Sequence, residues 1–160
     1  MKKLFSFIMI IFILPLILVG CSSTLDNSVS KNEKVTATIY TSDSQVENLV
    51  DKKVNIKEVA ADSLFNELKT HNVIPKDTKL NSFDKFIDNN ENIGIVNFSK
   101  EFYDFNLGSS GEVLMLNSIA KTYLENLNLD KFKILVDGEE YQSGHILYEK
   151  EDYFTLDSIN

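Results

Sequence analysis

Phe132-Lys133-Ile134-Leu135-Val136-Asp137-Gly138 is the stretch from which the fold can be read. Its first five residues are aliphatic or aromatic apart from Lys133, and they read as a strand. Asp137-Gly138 then predicts a type I′ hairpin turn, because both central residues of that turn need positive φ. The returning strand is expected over residues 140–146. Residues 148–160 are acidic and aromatic, and their pattern supports no assignment.

Working back from this hairpin, Ser109-Ser110-Gly111-Glu112 matches a capping box, with Ser109 at the N-cap and Glu112 at N3. The helix it opens is the longest expected. Val113, Leu116, Ala120, Tyr123, Leu124 and Leu127 share one broad face of it, and Lys121, Glu125 and Asn128 lie away. Residues 93–98 and 78–88 read as strands on either side of the polar turn at residues 89–92. A shorter helix, capped by Asp62 or Ser63, carries Leu64, Phe65 and Leu68 as its stripe. It ends near His71, and Pro75 forbids its continuation. Residues 35–40 alternate as a strand, and residues 48–59 as one or two more. The simplest architecture for this order is α+β: a mainly antiparallel sheet with two helices packed on one face.

The chain before residue 35 is of another kind. Lys2 and Lys3 precede an apolar run over residues 4–19, interrupted only by Ser6 and Pro15. As a helix this run would reach roughly 24 Å, short of the ~30 Å hydrocarbon core of a bilayer, which suits a signal peptide better than a permanent span. It closes with Leu18-Val19-Gly20-Cys21, which resembles the lipobox of bacterial lipoproteins. Gly20 would let a peptidase reach the bond before Cys21, and the Cys21 thiol is nucleophilic enough to take a diacylglyceryl group as a thioether. Two acyl chains on one cysteine anchor durably where one holds marginally. The expected organisation is a signal peptide over 1–20, a flexible tether over 21–34 rich in Ser, Asn, Lys and Glu, one domain over 35–148, and a tail over 149–160. Lipid on Cys21 then places the domain on the extracytoplasmic face of the membrane.

Cys21 is the only cysteine, so no internal disulfide and no thiolate zinc site can form. The net charge of −8 becomes −10 without Lys2 and Lys3, which argues against nucleic acid as a partner. The two histidines, His71 and His145, stand far apart and form no metal or triad spacing, so each reads as structural or surface. Gly108-Ser109-Ser110-Gly111 lacks the spacing of a nucleophile elbow. Residues 88–92 alternate oxygen ligands as a calcium loop does. Ile93 and Ser99, however, stand where such a loop needs Gly and Glu. No catalytic set, metal or cofactor is therefore expected. Tyr103, Phe105, Tyr148 and Tyr153 are candidates for an exposed binding patch.

Several segments together resemble the GerMN domain, a family named for spore germination and sporulation proteins of Gram-positive bacteria. They are Ile95-Val96-Asn97-Phe98-Ser99, Gly108-Ser109 at the helix entry, Val136-Asp137-Gly138, and Gly144-His145 after it. Ile74-Pro75-Lys76-Asp77-Thr78 fits more loosely. The resemblance covers about residues 35–148. It implies a non-enzymatic α/β module on envelope lipoproteins, similar in fold to ring-building motifs. It also implies assembly roles for that module, in sporulation and near peptidoglycan. The leading expectation is thus an interaction module that docks on another envelope protein or on itself. The alternative is a module that binds cell-wall glycan or a small solute.

Overall fold

A computed structural model describes residues 34–159. Cys21, the segment before it and all but the last residue of the expected tether lie outside the described residues.

The order of elements is β1 (Val35–Ser42), β2 (Leu49–Ile56), α1 (Ala61–Thr70), β3 (Leu80–Asp88), β4 (Glu91–Phe98), a 3₁₀ turn (Lys100–Tyr103), α2 (Ser109–Asn126), β5 (Lys131–Val136), β6 (Glu139–Glu140) and α3 (Leu156–Ile159). The α+β class and the mainly antiparallel pairing hold. The strands divide into a β1-β2 ribbon and a sheet of order β3-β4-β5-β6. One pair departs from the expectation: β4 and β5 run parallel, Ile93 opposite Lys131 through Phe98 opposite Val136. The connection between them contains α2, and a helical crossover of this length returns a strand in the same direction.

Both expected turns form. Asn89 and Asn90 take φ of 47° and 66°, and Asp137 and Gly138 take 48° and 85°. These are the left-handed values that a type I′ turn demands. The strand after Gly138 is shorter than expected. It stops at Glu140, because Ser143 pulls the chain into a tight loop. The Ser143 N–H donates to the Ile146 carbonyl, and its hydroxyl accepts from the N–H groups of His145 and Ile146.

Each helix start is displaced from its sequence reading. α1 begins one residue before Asp62, with Ala60 at the N-cap. Asp62 falls in the first turn, where its charge favours the helix dipole without capping. α2 starts from Gly108, so Ser109 is already helical and makes no cap hydrogen bond. The end of α1 follows its sequence: Asn72 turns left-handed at φ 59°, and the Val73 N–H returns to the Leu68 carbonyl.

One core gathers these elements. Leu64 and Leu68 of α1, Leu116, Ile119 and Tyr123 of α2, Val96 and Phe98 of β4, and Phe132 of β5 are all buried. The chain after residue 148 joins them. Phe154 bridges Phe132 in both directions, N–H to carbonyl, and Phe154 and Ile159 are buried. Val113, expected on the buried face of α2, is instead 42% exposed.

The ribbon meets α2 through polar side chains. The Asn126 amide accepts from the Thr38 N–H at 3.0 Å and donates to the Thr38 carbonyl at 2.7 Å. The Thr122 hydroxyl accepts from the Tyr40 N–H while donating to the Ser118 carbonyl. The free edge of β1 thus pairs with a helix in place of another strand, which closes an edge that could otherwise aggregate.

Candidate functional site

The loop at residues 141–148 and the first turns of α2 stand side by side, held by one carboxylate. Glu112 is wholly buried. Because α2 starts at Gly108, Glu112 is the residue whose own N–H closes the first helical turn, onto the Gly108 carbonyl. Its side chain is therefore free to turn inward. Its Oε1 accepts from the Tyr141 hydroxyl at 2.5 Å, and its Oε2 lies 2.9 Å from His145 Nδ1.

The electrostatics follow from these partners. Burial alone pushes the Glu112 carboxyl up. Hydrogen bonds from Ser143, Tyr141 and His145 outweigh burial and hold it below the usual carboxylate range. The Tyr141 phenol moves upward, first through burial and then through the Glu112 carboxylate it serves. The His145 side chain is half exposed. Its Nδ1 is held by Glu112, and its Nε2 has no hydrogen-bond partner among the described residues.

Two open clefts flank this loop. The first, of about 570 Å³, is lined by Tyr103, Phe105, Gln142, Ser143 and His145, with Glu112 at its base. The second, of about 520 Å³, is lined by Val113, Leu147, Tyr148, Tyr153 and Phe154, with Glu151 and Asp152 at its rim. The aromatic residues singled out in the sequence do not form one patch. Tyr103 and Phe105 belong to the first cleft, Tyr148 and Tyr153 to the second, and all are half-buried. Tyr141 joins the two groups, its ring 5.4 Å from that of Tyr103 and 6.2 Å from that of Tyr148.

Lys133 braces the second cleft from beneath. It is buried in β5, a strand otherwise apolar at its buried positions. Its ammonium donates to both carboxylate oxygens of Glu140 and to the carbonyls of Glu149 and Lys150. It also lies 4.6 Å from the Tyr153 ring.

The remaining sequence candidates are dispersed. His71 caps the C-terminus of α1, 3.9 Å from Glu67. Residues 88–92 span the end of β3, the turn at Asn89-Asn90 and the start of β4. Among the described residues no group of three or more acidic, His or Cys side chains could hold a metal. The sequence reading placed Glu112 in a capping box and passed over Tyr141, because the partners of Glu112, Tyr141 and His145, lie 29 and 33 residues away, beyond any local spacing. Cys21 lies outside the described residues.

The family model described as Germane, sporulation and spore germination, matches residues 25–142. Among solved structures, the first GerMN domain of the sporulation protein GerM from Bacillus subtilis is similar with a TM-score of 0.57 at 18% identity, covering 77% of this chain and 98% of that one. The tandem GerMN domains of the same protein also give 0.57, at 19% identity, with 76% of this chain covered. This chain spans about half of that tandem, 46% of its length. A candidate lipoprotein from Clostridium perfringens is 23% identical over 78% of this chain and 89% of its own, with a TM-score of 0.45. No curated protein matches.

Proposed function

Because the chain belongs to the Germane family, that of sporulation and spore germination, we propose that its domain is a non-catalytic docking module, delivered to the extracytoplasmic membrane surface by lipid on Cys21. The observation that carries this reading is how the buried charges are used. Glu112 and Lys133 are the charged side chains buried among the described residues. Both spend their hydrogen bonds on holding loops to the core. Catalytic carboxylates and lysines are instead left poised toward a substrate.

The anchor rests on the sequence before the domain. Among the described residues no helix is long and apolar enough to cross a membrane. The sporulation setting rests on the family, and the partner we propose is another envelope protein or a second copy.

A second reading is favoured by the first cleft. Tyr103 and Phe105 offer aromatic faces, and Gln142 and His145 offer polar groups beside them, a combination that suits a sugar of the cell wall. In-cell crosslinking followed by affinity capture of the full chain separates the two. A docking module brings down a protein neighbour and leaves peptidoglycan sediments empty. A chain that captures no protein and sediments with purified peptidoglycan is a glycan binder.

A further inference from the structure

We propose that the second cleft takes a segment of a partner protein in which an aliphatic or aromatic side chain is flanked by lysine or arginine. This rests on the docking reading above and names the surface and the chemistry it would recognise.

Leu147 is 61% exposed and Val113 is 42% exposed, and both line this cleft. Single apolar side chains on a surface are ordinary. A pair of them beside Tyr148 and Phe154 gives an apolar patch, without a covering among the described residues, inside a cleft whose lining also includes the polar Asn117 and Ser158. The rim is acidic. Glu151 and Asp152 line the cleft and no basic side chain does. Asp152 is fixed in place, accepting from the Glu149 N–H at 2.7 Å.

Two of the cations near the cleft are committed elsewhere. Lys133 and Lys131 lie 4.6 and 5.9 Å from the Tyr153 ring at the back of the cleft. Lys133 is bound to Glu140 and Lys131 to Glu91. The side chains lining the cleft thus carry two acids and no base, and a partner with basic residues beside its apolar anchor complements them. A second copy of this chain fits poorly, since its net charge of −8 would bring acid against acid.

The test places a photoreactive phenylalanine at position 147 of the full chain in intact cells, and separately at the exposed position 87 on β3. Adducts are sequenced by mass spectrometry. The proposal expects position 147 to trap a peptide of another protein with lysine or arginine within a few residues of the crosslink. It also expects Glu151→Lys to reduce that adduct about tenfold, since a reversed rim charge repels such a segment. A crosslink to an acidic peptide, to this chain itself or to glycan overturns it, as does an adduct that survives Glu151→Lys. Adducts at position 87 alone overturn this surface and leave the docking function standing. No adduct at either position also overturns this surface, and capture of the full chain then decides the docking function.

Discussion

The Tyr141 hydroxyl donates to the buried Glu112 carboxylate at 2.5 Å, tying the loop after β6 to the first turns of α2. The same carboxylate holds His145 on its other oxygen, so one side chain fixes the wall between both clefts.

Removing Glu112 should therefore cost stability. Glu112→Ala leaves the buried Tyr141 hydroxyl without its acceptor and is expected to destabilise by about 3 kcal/mol, with Glu112→Gln milder because its amide oxygen can still accept. Urea unfolding followed by circular dichroism measures both. The carboxyl sits below its ordinary value of 4.5 in the fold. Its contribution is thus complete above the unfolded value and is lost as pH falls through the folded one. Stability should drop below about pH 4.5 in the wild type, and Glu112→Gln should flatten that part of the drop.

Asn126 satisfies both backbone groups of Thr38. Asn126→Ala should destabilise by about 2 kcal/mol, since it removes both hydrogen bonds. It should also raise amide hydrogen exchange at Thr38 well before exchange rises in β4 or β5. Unchanged exchange at Thr38 would show that water replaces the amide without loss.

Lys133 clasps the C-terminal segment through the carbonyls of Glu149 and Lys150. Lys133→Met keeps most of the volume and removes the donors. A loss of about 1–2 kcal/mol is expected, with faster proteolytic cleavage near residues 149–152. Limited proteolysis read by mass spectrometry checks this, and cleavage elsewhere first would contradict it.

Cys21→Ala should leave the thermal unfolding of the domain unchanged and move the protein out of the membrane fraction. Fractionation of cells producing each form measures this. A variant that stays with the membrane would mean that the apolar run over residues 4–19 remains as the anchor.

What the sequence made legible was local. Asp137-Gly138 and Asn89-Asn90 announce their turns because positive φ is a property of the residues themselves. Leu64, Phe65 and Leu68 announce the buried face of α1 by spacing. Glu112 was misread because Ser109 looked a better cap than Gly108, and a shift of one residue turned a capping side chain into a buried one. The parallel pairing of β4 with β5 depends on where α2 returns the chain, which no local pattern records. Phe154 had the right chemistry for the core, but its partner Phe132 stands 22 residues earlier, outside any period a helix or strand would show.

The central claim is that this domain works by holding a protein partner at the membrane during sporulation. Its most direct test is affinity capture of the tagged full chain after crosslinking, from growing and from sporulating cells, with captured proteins quantified against a tag-only control. The account predicts a defined envelope protein enriched in the sporulating sample. Capture no different from the control in both samples would contradict it.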